Sequence, residues 1–199
     1  MARRLTEIAN DYGTDKGTAH GDRHGYTLIY ELLLAPYRDL KLNLLEIGLQ
    51  TRPETDHTAC GPVTNAPSVK MWREYCPKAH IYGIDISDFS AYQSDRFTFF
   101  QVDCGSAEQL DRVAQSGATF DIIIDDGSHA SYHQQLTLCR LFKSLKPEGI
   151  YIIEDLHWRP VYERELPKVP RTVDVLGNFL SNGKFADTGA ISVFRMGAT

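Results

Sequence analysis

No apolar run in this sequence comes near the ~20 residues that a membrane-spanning helix needs. The longest, such as Phe120 to Ile124 and Gly149 to Ile153, fall far short, so a membrane partner is not expected. Cysteine pairs are missing too. Cys60, Cys76, Cys104 and Cys139 stand far apart with no CxxC, so neither a zinc site nor a disulfide framework is indicated and all four read as ordinary reduced thiols. Basic residues are in deficit, 21 Lys+Arg against 26 Asp+Glu for a net charge of -5, which leaves no global field to hold phosphate backbones. Nucleic acid is therefore not an expected partner. Met1-Ala2-Arg3-Arg4 leads into Leu-Thr-Glu-Ile-Ala-Asn-Asp without the apolar stretch of a secretory signal, and the expected compartment is the cytoplasm. Internal repeats and low-complexity tracts are also lacking.

What the chain does have is a globular composition: 199 residues, 42% hydrophobic and 24% charged, with a mean hydropathy of -0.31. That suits one domain with a sizeable core. From about residue 42 apolar runs alternate with amphipathic stretches. Leu42–Gly48, His80–Ile86, Phe97–Val102, Phe120–Asp125 and Gly149–Glu154 read as five strands, most of them continuously apolar, as parallel strands covered on both faces must be. Helices are expected around 67–76, 106–116 and 131–146. In the last, Leu136, Cys139, Phe142 and Leu145 recur every third residue until Pro147-Glu148-Gly149. The predicted fold class is α/β, a doubly wound, mostly parallel sheet in a single domain. Residues 51–67 and 157–172, rich in proline and polar residues, read as long loops; Ile191–Met196 could close the sheet. Residues 3–38 read as helical pieces around a loop, Tyr12 to Gly25.

In an open parallel sheet the ligand site lies beyond the carboxyl ends of the strands. Here every run ends in acid: Glu46-Ile47-Gly48, Asp85, Asp103, Asp125-Asp126 and Glu154-Asp155. An Asp at a strand-to-helix junction is often a helix cap, which accounts for any one of them alone. Five of five point instead to a ligand with hydroxyls and positive charge, to a metal ion, or to both. After Gly48 the chain reads Leu-Gln-Thr-Arg-Pro, neither the dinucleotide GxGxxG nor the GxxxxGK[ST] phosphate loop. Asp85 is placed to accept bonds from ribose hydroxyls and Asp103 to meet an adenine edge.

Glu46-Ile47-Gly48, Asp85 and Asp103 resemble the class I S-adenosylmethionine-dependent methyltransferases, which have a Rossmann-like fold. A closer resemblance runs through Tyr12-Gly-Thr-Asp-Lys-Gly17, His24-Gly-Tyr-Thr27, Leu45-Glu-Ile-Gly48, Ser68-Val-Lys-Met-Trp72, Ile81-Tyr-Gly-Ile-Asp85, Ile124-Asp-Asp-Gly-Ser-His129 and Ile153-Glu-Asp-Leu-His157. These segments are similar to the metal-dependent O-methyltransferases that modify sugar hydroxyls of macrolides and related natural products. The likeness covers about residues 8–158. It departs at 51–67, which replaces the family's Gly-rich loop, and after 158, where no acceptor-binding region is recognisable.

The resemblance implies S-adenosylmethionine and Mg²⁺ or Mn²⁺ as cofactors, with Asp126, Glu154 and Asp155 as metal ligands and His129 as general base. Three hard oxygen ligands at two strand ends suit a metal of that kind. Lys16, Tyr26, Glu46, Gly48, Asp85, Asp103 and Asp125 are the expected cofactor-binding residues. Asp125 and Asp126 are adjacent, and which one faces the metal stays open, with Asp126 favoured. His133 and His157 are read as a solvated and a loop histidine, Met71 and Trp72 as core. Residues 1–38 would form a helical cap contributing to the cofactor site, and 39–199 the methyltransferase domain. The expected partner is a glycosylated small molecule with a hydroxyl; homo-oligomerisation stays open, as do a catechol-type O-methyltransferase and a non-catalytic cofactor-binding protein. If Asp85 binds the cofactor, Asp85→Ala should weaken S-adenosylmethionine binding by roughly 1.5–3 kcal/mol with the fold intact. Unchanged affinity by calorimetry would remove Asp85 from the site.

Overall fold

Leu44 and Leu45 are consecutive and both fully buried, which only a strand covered on both faces allows. The computed structural model describes residues 2–21, 23–49, 63–156, 173–180 and 190–196, the last two spans as backbone. Its helices are α1 (Leu5–Tyr12), α2 (Tyr26–Leu34), α3 (Pro67–Tyr75), α4 (Ala107–Gln115) and α5 (Ser131–Leu141). Its strands are β1 (Asn43–Ile47), β2 (His80–Asp85), β3 (Phe97–Gln101), β4 (Phe120–Asp125), β5 (Leu145–Ile153), β6 (Val173–Leu180) and β7 (Ala190–Met196). They form one sheet in the order β3-β2-β1-β4-β5-β7-β6. The first five are parallel, and β7 runs antiparallel to β5 and β6. This is the doubly wound, Rossmann-like arrangement that the alternating pattern predicts.

Period-two alternation sends successive residues into two cores. Leu44, Ile81, Ile122, Ile124 and Ile152 face α1, α2 and α3, where Ile8, Tyr30, Met71 and Trp72 are buried. Leu45, Ile47, Ile84, Ile123 and Ile153 face α4 and α5, with Leu110, Val113 and Leu141. Local signals set several ends: Pro67 opens α3, Ser106 accepts from Gln109 N at the start of α4, and Gly13, at φ +79°, closes α1. No helix among the described residues is long and apolar enough to cross a membrane.

Three expectations change. The helix expected over 131–146 ends at Leu141, and β5 already begins at Leu145. Pro147-Glu148-Gly149 lies inside that strand, where the pairing with β4 shifts register and Glu148 takes φ +64°. A bulge and a helix stop use the same residues, so the sequence pattern reads either way. The three-residue stripe does not mark the buried face either, since Cys139 is exposed while Gln134, Thr137 and Leu141 are buried. Strand β6 was not anticipated. Most of the expected loop 51–67 and all of 157–172, His157 included, lie outside the described residues.

The strand order reverses between β1 and β4, and that switch point places the site. There Gly48 has φ +83°, and a Cβ on it would come within 2.0 Å of the Asp126 carbonyl oxygen. Only glycine fits, because backbone sits where a side chain would start. Gly48→Ala should cost at least ~2 kcal/mol, strain and displacement of the β4 loop together. Urea denaturation checks this, and a loss under ~0.5 kcal/mol would contradict the close approach.

Candidate functional site

The strand-end loops are stitched together by backbone bonds. Val102 N donates to Asp85 O (2.9 Å), Gly48 N to Ile84 O (2.8 Å), Asp126 N to Ile47 O (2.9 Å) and Glu154 N to Asp125 O (2.9 Å). This belt brings acids from different strands to one edge.

Alternation then sorts them. Ile47 pairs with Asp125 and Glu46 with Ile124, so Glu46 and Asp125 leave their strands on opposite faces. Asp125 turns toward α5, where Thr137 Oγ1 and Tyr151 OH (3.1 Å) donate to Oδ2 and Gly127 N donates to Oδ1 (3.4 Å). Burial raises its carboxyl to about 6 against those bonds. The sequence grouped Asp125 with the cofactor residues; the structure gives its oxygens to three donors of the protein itself. Asp126 is the member of the pair that faces the other acids.

On the opposite face the cluster is built around one lysine. Lys16, 2% exposed, donates to Asp126 and to both Glu154 oxygens, at 2.9 and 3.0 Å. It also lies 3.6 Å from Glu46 Oε1. Burial alone would lower its pKa, yet Asp126, Glu154 and Glu46 hold it well above the usual lysine value. Glu46 Oε2 accepts from Ser68 Oγ (2.7 Å). Its Oε1 has no hydrogen-bond partner among the described residues, and burial lifts the carboxyl to about 6. Glu154, 1% exposed, also receives the Tyr30 hydroxyl; burial and the neighbouring Asp126 push its carboxyl well up. Tyr26 OH donates to Asp155 Oδ1 (2.6 Å). Lys16 and Tyr26, both expected on the cofactor, thus spend their polar atoms on the acids.

The groups that converge are Asp126, His129 and Asp155. His129 Nε2 lies 3.1 Å from Asp126 Oδ1 and 3.3 Å from Asp155 Oδ2. Burial works against the imidazolium, but the Asp126 hydrogen bond and the charges of Asp126 and Asp155 raise His129 above the ordinary histidine value. Its side chain is 35% exposed, the most open of the three. One ligand atom from each residue lies within 4.8 Å of the others. Two carboxylate oxygens and an imidazole at that spacing, in a cluster of four buried or half-buried carboxylates with one lysine, fit a hard divalent cation. Glu154, expected as the third oxygen ligand, directs its oxygens to Lys16 and Tyr30.

The other expected residues flank this centre. Asp85 accepts from Leu49 N and Ser87 N, both at 2.8 Å. Asp103 Oδ1 accepts from Gly105 N (2.8 Å). His133 Nδ1 pairs with Ser128 Oγ at 2.6 Å. Sequence reasoning missed Tyr30, Thr137 and Gln134, whose Nε2 donates to Glu154 O (2.9 Å). The available signal was spacing: Tyr26 and Tyr30 stand one helical turn apart, as do Gln134 and Thr137.

A methyltransferase-domain family model matches residues 60–179. Mycinamicin VI 2''-O-methyltransferase of Micromonospora griseorubida is 36% identical over 152 residues, 76% of this chain and 36% of that protein. The 8-demethyl-8-alpha-L-rhamnosyl tetracenomycin-C 2'-O-methyltransferase of Streptomyces olivaceus is 34% identical over 76% of this chain and 37% of its own length. Among solved structures, the MycE methyltransferase of the mycinamycin pathway in complex with Mg, SAH and mycinamycin VI matches with TM-score 0.74 and 26% identity, covering 98% of this chain and 54% of that one. The chain thus spans about a third of the length of these curated relatives.

Lys16 makes a sign-definite prediction. Lys16→Met leaves Asp126, Glu154 and Glu46 buried without their cation, at a cost of about 3–5 kcal/mol. Without the ammonium all three folded carboxyls titrate higher than in the wild type: Glu46 and Glu154 are already raised by burial and rise further, and Asp126, which Lys16 holds low, is released upward, so stability falls as pH rises through that range. Urea denaturation at about pH 5 and about pH 8 should show the larger loss at the higher pH. An equal loss at both would refute the electrostatic account.

Proposed function

Because the chain belongs to the methyltransferase-domain family, we propose that it carries the cofactor- and metal-binding part of an S-adenosylmethionine-dependent O-methyltransferase. The proposed acceptor is a sugar hydroxyl of a glycosylated small molecule. The observation that carries this reading is the convergence of Asp126, His129 and Asp155 beside the acid-lined ends of β1, β2 and β3. The names of the relatives, and the Mg and SAH in the MycE complex, support the same chemistry.

Asp126 and Asp155 would hold Mg²⁺ or Mn²⁺, and Glu154 would join them on exchanging its bonds to Lys16 and Tyr30. Glu46, Gly48, Asp85 and Asp103 would frame the cofactor. Residues 1–38 act as a cap, since Lys16, Tyr26 and Tyr30 reach from them onto the acids. A bound divalent cation supplies Lewis acidity toward an acceptor hydroxyl, and the sulfonium supplies the electrophilic methyl. An aliphatic hydroxyl is a weak nucleophile because it is un-ionised near neutrality, so a base must take its proton. His129 is that base: its side chain, 35% exposed, is the most open of the three converging groups. A cytoplasmic setting goes with this reading, Cys76, Cys104 and Cys139 being free.

One observation favours a second role. His129 Nε2 is as close to both acids as a metal ligand would be, so it could ligate instead of accepting a proton. His129→Ala separates the two. As a base, His129 contributes roughly 10²–10⁴-fold to kcat, with Mn²⁺ and S-adenosylhomocysteine affinities nearly unchanged. The rate should fall as pH drops and the imidazole protonates, and that acid limb should vanish in the variant. A large loss of Mn²⁺ affinity would make it a ligand. The broader reading fails if the wild-type chain binds neither S-adenosylhomocysteine nor a divalent cation by calorimetry.

A further inference from the structure

Two residues of the site hold a backbone conformation that side-chain-bearing residues rarely adopt: His129 at φ +60° and Asp155 at φ +48°. Such a conformation is strained and persists only where the surroundings enforce it. Strand β5 has ended at Ile153, so sheet pairing does not hold Asp155.

Two side chains do, from opposite directions. Gln134 on α5, 6% exposed, donates Nε2 to Glu154 O at 2.9 Å, the carbonyl of the peptide that joins Glu154 to Asp155. From α2, the buried Tyr26 hydroxyl accepts from Asp155 N at 3.3 Å and donates to Asp155 Oδ1 at 2.6 Å. One hydroxyl thereby closes a ring on one residue, fixing backbone and carboxylate together. The His24 ring lies flat on Tyr26, 4.9 Å between centroids and 7° between planes, which sets the phenol's orientation. A buried amide is costly unless it is bonded, and this one spends its donor on a single carbonyl.

We propose that Gln134 and Tyr26 are positioning residues, a clamp that locks the Glu154–Asp155 peptide in its left-handed turn and so sets Asp155 Oδ2 at 3.3 Å from His129 Nε2. Neither residue is required to touch the reacting atoms; each acts through Asp155. The inference rests on the proposed working pair of His129 and Asp155, and it adds the residues that fix their separation.

The test compares Gln134→Met, which keeps the volume without the donor, and Tyr26→Phe with Val113→Ala, a core change on α4 remote from the turn. In the ion-free chain, long-range ¹H–¹⁵N spectra of the imidazoles, assigned with His129→Ala, should show the His129 signal displaced in the first two variants and unmoved in the third. Mn²⁺ titrations followed by electron paramagnetic resonance should show affinity roughly tenfold weaker or more in the clamp variants, as loss of a partner that orients a ligand produces. Val113→Ala should bind as wild type does. An unmoved His129 signal in both clamp variants, or a shift of equal size in Val113→Ala, overturns the clamp. Should Gln134→Met fail to fold, Tyr26→Phe, which removes one oxygen, carries the test. If the wild-type chain takes no Mn²⁺, the metal reading falls, and the His129 signal alone still decides the clamp.

Discussion

The site depends on one buried ammonium. Lys16 comes from the loop between α1 and α2 and ends among Glu46, Asp126 and Glu154, which arrive on β1, after β4 and after β5. Burying a charge is expensive unless partners surround it, and the same holds for each acid. The arrangement is therefore mutual: without Lys16 three carboxylates face one another in a poor dielectric, and without them the lysine would not stay charged. Because Asp126 and Glu154 lie more than a hundred residues from Lys16, this contact also fastens the amino-terminal helices to the carboxyl edge of the sheet.

The sheet supplies the frame in which that contact forms. Parallel strands in register end at one level, and the belt of bonds from Val102 to Glu154 fixes the height of each emerging loop. Gly48 lets the β1 loop approach the backbone of Asp126 closely enough for the acids on either side to meet. Packing on both faces makes the frame stiff; the chemistry sits where packing stops and left-handed residues begin.

Much of this was legible in the residues. Continuous apolar runs announced covered parallel strands, and the acids closing them announced the edge that matters. The Asp-Asp-Gly-Ser-His segment put Asp126 and His129 three apart, close enough to meet across a short turn. Less legible were roles that depend on which way a side chain turns. Adjacent Asp125 and Asp126 look alike in sequence, yet strand alternation sends the first to Thr137 and Tyr151 and leaves the second for the cluster. The inward face of α5 carries Gln134 and Thr137, polar residues that break the apolar periodicity a buried helix is expected to show. They are buried because the Glu154 carbonyl and the Asp125 carboxylate beneath them need donors, a tertiary fact that no local pattern encodes. Lys16 and Tyr26 were expected on the cofactor; in the structure their atoms serve the protein's own carboxylates.

The left-handed backbones of His129 and Asp155 bear on how this chain would respond to selection for heat resistance. Glycine or asparagine relaxes such a position, so a screen that rewards melting temperature alone would sample these two sites along with Arg23 and Glu148, which share the conformation. A variant recovered at His129 or Asp155 would trade backbone strain against the imidazole or carboxylate on which the proposed chemistry rests. If the proposed roles hold, thermostability and activity would pull in opposite directions at two codons.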